Sequence, residues 1–360
     1  MQAVILAGGE GTRLRPLTAT IPKPVVPLAN RPFISYMIDW LARHGVDEVI
    51  MSCGFLASEV KTVLGEGNGD VKIRYVEEDE PLGTAGAVKH AEEFLGERFA
   101  VLNGDILADF DLTALQRFHH DSGAPATIAL MPVEDPSSYG LVRTSDHVVT
   151  EFVEKPGAAE IDTNLINAGA YVLEHEVLDR IPAGEPVSFE RAVFPSLIGA
   201  GLRGCPVDGY WLDIGTPYRY LEATFDILAG KLETALDAEL GEHRLAVPPG
   251  ATVAEGATLA APAIIGEGSV VESGARVGEL ASVGGRCHVG EGAIIERAVV
   301  HDGVRIGQDA VVAGSVVGPG VQVGAGSRLE AGALIGEGAV IGPGMVVSGT
   351  ETVEPGVEVN

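Results

Sequence analysis

From Val247 onward an aliphatic residue recurs every six positions: Val247, Val253, Leu259, Ile265, Val271, Val277, Val283, Val289 and Ile295. The phase then slips through Val300, Ile306, Val312 and Val317 and resumes at Val323, Leu329, Ile335, Ile341, Val347 and Val353. No helix has a six-residue period. Hexapeptide repeats belong to parallel β-helices, in which each repeat forms one short face and neighbouring coils stack. The aliphatic residue points inward. Glycine often follows it or sits three residues after it, as in Ile265-Gly266-Glu267-Gly268, and permits the backbone turn at a corner.

The run resembles the left-handed β-helix family, with three hexads per coil. At roughly 18 residues per coil, the span 247–353 gives about six coils. The stretch 231–246 is polar with few turn signals and reads as a connector. The expected division is therefore a first domain over 1–230, a connector over 231–246 and a left-handed β-helix over 247–360.

Before residue 230 strand-like runs alternate with helical patterns. Gln2–Ala7, Val46–Cys53, Val71–Glu77 and Phe99–Leu102 read as strands. Phe33–His44, with apolar residues at 33, 34, 37, 38 and 41, and Thr84–Leu95 read as helices. Such alternation implies an α/β domain: a Rossmann-like layer with a mixed, mainly parallel sheet covered by helices. Ligands of such sheets bind beyond the carboxyl ends of the strands. The polar segments after Ala7 and after Leu102 both fall there.

The first of these segments, Leu6-Ala7-Gly8-Gly9-Glu10-Gly11-Thr12-Arg13-Leu14, is neither a P-loop nor a clean dinucleotide fingerprint. Its three glycines let the backbone pass close to a ligand and aim N–H groups at an anion. Arg13 and Arg15 add charge. Lys23 follows in Ile21-Pro22-Lys23-Pro24, where two prolines are expected to hold it on a stiff, extended stretch. Together these point to a polyphosphate site. No Gly-x-Ser-x-Gly elbow and no Cys/His pair in a plausible local context suggests a covalent nucleophile.

The run Gly8-Gly9-Glu10-Gly11-Thr12-Arg13-Leu14-Arg15-Pro16-Leu17-Thr18 with Lys23-Pro24 resembles the signature of the sugar-phosphate nucleotidyltransferases. In family order follow Glu80-Pro81-Leu82-Gly83-Thr84-Ala85-Gly86, Asn103-Gly104-Asp105, Tyr139-Gly140, Phe152-Val153-Glu154-Lys155-Pro156, Ile166-Asn167-Ala168-Gly169 and Trp211-Leu212-Asp213-Ile214-Gly215-Thr216. The resemblance implies attack by a hexose 1-phosphate on the α-phosphorus of a nucleoside triphosphate (NTP), with release of pyrophosphate. It further implies that Asp105 and Asp213 hold Mg²⁺ and that Arg13 and Lys23 contact the triphosphate. Lys155 would grip the sugar phosphate, Glu154 a sugar hydroxyl, and Gly104, Gly140 and Asn167 would complete the sugar pocket. Leu6, Ala7, Gly8, Gly9, Gly11, Thr12, Glu78, Gly83 and Thr84 would line the nucleotide.

The base loop looks closest to the shorter mannose-1-phosphate guanylyltransferases, which implies GTP and mannose 1-phosphate as substrates. An acid at Glu78 could accept from guanine N1–H and N2–H, a pattern that thymine and uracil do not match. Glucose-1-phosphate thymidylyl- or uridylyltransfer is the alternative. A non-catalytic paralogue that binds nucleotide sugars is opposed by the intact Arg13, Lys23, Asp105, Lys155 and Asp213.

The formal net charge of −27 repels nucleic acid and anionic lipid, so neither is expected as a partner. It also means that local cations or a divalent metal must offset the field around an anionic substrate. Cys53, Cys205 and Cys287 are far apart and lack metal-ligand spacing, as expected of idle thiols in a reducing compartment. The start of the chain has no basic segment before its apolar run and no apolar run approaches ~18 residues, so a cytoplasmic protein is expected. His119-His120 should be solvent-exposed at a helix end. The hexad region is expected to join copies of the chain into a homo-oligomer; a regulator site is a second possibility. Acyl transfer through His288 or His301 is a third, opposed by the lack of a long insertion between repeats.

Overall fold

The computed structural model describes residues 1–54, 56–67, 69–153 and 156–360. By contact density the chain divides into two compact units, one of residues 1–10 and 37–212, the other of residues 11–36 and 213–360.

The first unit is built on a nine-stranded mixed sheet. Its first four strands in spatial order are Lys72–Glu77, Glu48–Cys53, Gln2–Ala7 and Arg98–Asn103, all mutually parallel. Gln2–Ala7 lies between two parallel neighbours, and Ala3, Val4 and Ile5 are fully buried. The parallel arrangement brings the carboxyl ends of the four strands to one edge, where Ala7 is in register with Cys53 and Leu6 with Asn103. Next comes Leu165–Glu174, antiparallel to Arg98–Asn103, which returns its amino end to that same edge. Its pairing with Ala126–Pro132 shifts register between Asn167 and Tyr171, around Gly169 at φ +70°. Such bulges re-aim side chains beside functional sites.

The expected helix over 84–95 is shorter, running from Gly83 to His90 and followed by a 3₁₀ turn at Glu92–Phe94. The helix Leu112–Ser122 ends in the two histidines, but only His120 faces solvent. His119 is buried, its Nδ1 2.8 Å from Thr127 Oγ1 and its Nε2 3.1 Å from Glu174 Oε1. It lies on the helix face that carries Leu112 and Leu115 into the core, so the periodicity of the helix, not its end, decides the exposure.

In the second unit the hexad region forms three parallel sheets of seven, seven and six short strands, a left-handed β-helix of between six and seven coils. The inward aliphatic series from Ile265 to Val353 is buried throughout, and Val359 extends it by one step. Val247 departs from the expected pattern at 39% exposure, because it lies on the first coil with no coil beneath it. The phase slips have a simple cause: the coil repeat drops to 17 residues where Val283 pairs with Val300 and Val300 with Val317, then returns to 18 where Val317 pairs with Ile335. The expected connector is not featureless. Leu232, Leu236 and Leu240 are buried there, and Asp237–Leu240 forms a short helix. Among the described residues no helix is long and apolar enough to cross a membrane.

Candidate active site

In the first unit the carboxyl edge gathers most of the expected binding residues. Gly104 donates its N–H to Leu6 O at 2.9 Å, and a Cβ at Gly104 would lie 2.5 Å from that oxygen. Only glycine tolerates this approach, which pins Asp105 just beyond the strand end. Gly8 leaves the central strand against Glu78: a Cβ there would sit 3.2 Å from Glu78 Oε1. The Glu78 carboxylate is itself fixed, Oε1 accepting from Ser52 Oγ at 2.6 Å and Oε2 from the Leu82 N–H at 3.0 Å. Gly83, at φ +69°, opens the following helix within 2.7 Å of Val187 O, measured from where a Cβ would stand.

A hydrogen-bond network links this edge to the expected sugar residues. Thr84 Oγ1 donates to Glu190 Oε2 at 2.9 Å and accepts from the Phe189 N–H at 2.9 Å, so this hydroxyl braces the neighbouring π-helical turn Phe189–Val193. Glu190 Oε1 accepts from Tyr171 OH at 3.0 Å, and Asn167 Nδ2 donates to Tyr171 OH at 2.9 Å. Asn167 also donates its backbone N–H to Gly140 O at 2.9 Å, which brings those two expected sugar residues together. Trp211 Nε1 donates to Ala168 O at 2.8 Å, and its ring meets Tyr139 edge-on at 5.4 Å. Burial, then the nearby Glu190 charge, pushes the Tyr171 phenol well above its ordinary pKa, so it stays protonated as a donor. Asn103 also bonds Tyr171, while its Oδ1 is buried and accepts no hydrogen bond among the described residues. Tyr171 and Glu190 escape sequence reading: a tyrosine in a strand and an acid after an aromatic carry no motif, and only the network shows their place. Glu154 and Lys155 lie outside the described residues.

In the second unit Gly11 adopts φ +63°, and a Cβ there would press on Lys23 Cβ at 3.1 Å and Thr18 Cγ2 at 3.2 Å. Thr18 Oγ1 donates to Gly11 O at 2.8 Å and closes the loop. Lys23 is not on an extended stretch as expected. Pro22 is extended, but Lys23–Val25 forms a 3₁₀ turn held by the Val26 N–H to Lys23 O bond at 3.3 Å. Pro24 fits because it sits in the first turn, where its missing N–H is not needed. Arg13 is exposed on the turn Thr12–Leu14. Its guanidinium and the Asp213 carboxylate both flank Gly215, whose added Cβ would lie 2.9 Å from Arg13 Nη2 and 3.0 Å from Asp213 Oδ1. A guanidinium cation and a hard oxygen donor thus stand side by side.

Among the described residues no group of three or more His, Cys, Asp or Glu could form a metal cage. The Asp213 carboxylate is a hard oxygen donor of the kind that fits a divalent cation held by one or two carboxylates, waters and substrate phosphates. Burial pushes the thiols up, to about 12 for Cys53 and about 11 for Cys205 and Cys287, and all three are free. They are poor nucleophiles and poor metal ligands.

Residues 2–230 match the Nucleotidyl transferase family, and residues 245–347 match the EIF2B subunit epsilon LbH domain. A mannose-1-phosphate guanylyltransferase of Mycobacterium tuberculosis is 38% identical over 72% of this chain and 73% of its own length. The Arabidopsis thaliana mannose-1-phosphate guanylyltransferase 1 is 35% identical over 88% of this chain and 86% of its own. Among solved structures, HddC from Yersinia pseudotuberculosis aligns at a TM-score of 0.55 with 31% identity, covering 63% of this chain and 99% of that one. Nucleotidyl transferases of this kind generally use a divalent metal. With the glycine loop, the Asn103-Gly104-Asp105 clamp and the Arg13–Asp213 pair in place, the chain belongs to the nucleotidyl transferase family and carries a left-handed β-helix after that family's domain.

Proposed function

We propose that this protein transfers the guanylyl group of GTP to mannose 1-phosphate, giving GDP-mannose and pyrophosphate, with Mg²⁺ as its metal. The placement of the Arg13 guanidinium and the Asp213 carboxylate together beside Gly215 carries the chemistry. The base and the sugar rest on the relatives, which are named for that reaction at 35% and 38% identity.

A phosphate oxygen of the sugar 1-phosphate bonds to the α-phosphorus. The bond from that phosphorus to the α–β bridging oxygen breaks, and pyrophosphate leaves with the electron pair. Two anions must meet, so the protein's task is to orient them and offset charge. Asp105 and Asp213 would hold Mg²⁺, which when bound supplies Lewis-acid neutralisation of phosphate oxygens. Arg13 and Lys23 bind the β- and γ-phosphates and stabilise the charge on the leaving group. The Gly8–Gly11 amides line the nucleotide. After its bonds to Ser52 and Leu82, Glu78 keeps an acceptor position on each oxygen, the pair that guanine N1–H and N2–H require. Lys155 holds the sugar phosphate. Glu154, Asn167 and the Gly140 backbone bind sugar hydroxyls, with Asn167 set by Tyr171.

The test is pyrophosphate release across a matrix of nucleoside triphosphates and hexose 1-phosphates with and without Mg²⁺. GTP with mannose 1-phosphate is expected to give the highest kcat/KM, and none without a divalent cation. A clear preference for dTTP or UTP with glucose 1-phosphate would establish the alternative, which one similar structure, a putative glucose-1-phosphate thymidylyltransferase of Bacillus anthracis at 25% identity, keeps in view. Free thiols at all three cysteines favour a cytoplasmic setting. Val346 and Val357 are 53% and 43% exposed on the β-helix, which favours self-association through it.

A further inference from the structure

The second unit contains a cleft of about 760 Å³ lined by none of the residues proposed for nucleotidyl transfer. One wall is the helix Pro217–Ala229, which presents Tyr218, Leu221 and Phe225 at helical spacing. The other wall is a single corner of the β-helix seen through successive coils: Leu280, Arg297, Gly314, Ala331 and Gly349, close to one coil repeat apart. The column is bulky at Leu280 and Arg297 and small at Gly314, Ala331 and Gly349. Stacking requires the small residues, since a Cβ on Gly314 would lie 2.7 Å from Ala331 Cβ and one on Gly349 would lie 1.9 Å from Ala331 O. The small corner leaves space beside the larger Leu280 and Arg297.

The charges in this cleft are arranged unequally. Glu222 is paired with Arg219 at 2.7 Å and Asp226 with Lys231 at 2.7 Å. Arg297 has no carboxylate partner among the described residues. Its guanidinium lies over the Phe225 ring, 5.1 Å from the centroid. In a chain of net charge −27, an uncompensated cation at an apolar wall is unusual. Stacking on Phe225 holds the guanidinium plane and leaves its N–H donors and its outer face available. A bound molecule that satisfied it would bring a negative group for the donors and a flat apolar body for the Phe225, Leu221 and Leu280 surface. The volume falls within the range of small-molecule sites.

We propose that this cleft is a binding site for a planar aromatic anion, anchored by Arg297 and separate from the substrate site. The test uses isothermal titration of the full chain with 2-naphthoate and with its neutral analogue 2-naphthalenemethanol. The anion is expected to bind one per chain and about tenfold tighter than the neutral analogue, the margin of a charge-assisted contact. That margin should vanish in Arg297→Gln and persist in part in Arg297→Lys, which keeps the charge but not the planar stack. Arg297 is exposed, so both variants should fold, with Tm unchanged. Saturating GTP should leave the titration unaltered. No binding at millimolar concentration, equal binding of the two probes, a margin that survives Arg297→Gln, or displacement by GTP would each overturn the proposal.

Discussion

The buried hydroxyl of Tyr220 stands 2.9 Å from Nε2 of His301 and donates to the carbonyl of Pro27. It thereby ties a coil of the β-helix to the segment that follows Lys23. Since the Tyr220 proton goes to Pro27, His301 Nε2–H must donate to the Tyr220 oxygen, which leaves Nδ1 as a buried atom without a hydrogen bond among the described residues. Replacing Tyr220 with Phe strands both the Pro27 carbonyl and the His301 N–H. A loss of roughly 2–6 kcal/mol in urea unfolding is expected, because each of the two stranded buried groups costs about 1–3 kcal/mol. A loss below about 0.5 kcal/mol would show that the pair does not brace the fold.

The same geometry sets a pH dependence. A proton on Nδ1 of His301 would find no acceptor, and burial lowers the imidazole pKa to about 4 from the ordinary 6.5. Between those values the unfolded chain binds the extra proton, so stability rises with pH across that window. The contribution is complete above pH 6.5 and is lost as the pH falls toward 4, at most about 3 kcal/mol. His301→Gln keeps a donor for Tyr220 without a titrating group. Urea midpoints for the two proteins should therefore lie close together at pH 7 and diverge toward pH 4, where only the parent loses stability; parallel curves would contradict the assignment.

Gly215 offers a separation of chemistry from stability. Its φ is not in the left-handed region, and the atom nearest an added Cβ is the mobile end of Arg13. Gly215→Ala should therefore fold with Tm close to that of the parent while displacing the guanidinium. A fall in kcat/KM of about tenfold or more is expected, since removal of a charge-stabilising donor typically costs on that scale. Full activity would remove Arg13 from the reaction.

Asp105→Asn and Asp213→Asn should each lower kcat by about 100-fold or more while circular dichroism stays unchanged, and activity should respond less to added Mg²⁺. Wild-type rates in either variant would dismiss that carboxylate as a metal ligand.

Cutting the chain after residue 240 removes Val283 O, which accepts from Asn30 Nδ2 at 2.7 Å, Ser282 Oγ, which donates to Asn30 Oδ1 at 3.0 Å, and His301. The loop carrying Arg13 and Lys23 loses these anchors. Reduced catalysis is expected even where the shortened chain is folded, because the coil then no longer positions that loop. Undiminished kcat/KM in the shortened protein would restrict the coil to assembly.

Much of this was written along the chain itself. A six-residue aliphatic period admits one architecture, because each inward side chain is fixed by its own spacing; even the 17-residue coils were visible as phase slips at 300 and 317. The glycine loop and the Asn103-Gly104-Asp105 run were legible because close backbone approach leaves only glycine possible. Only the tertiary structure could decide that His119 is buried, that Lys23 sits in a turn, that Thr84 braces Glu190, and that Tyr220 meets His301 across 81 residues of chain. Local periodicity is a property of neighbours in sequence. Which distant side chains share a hydrogen bond or a cleft depends on how sheets and coils pack, and no spacing along the backbone encodes that.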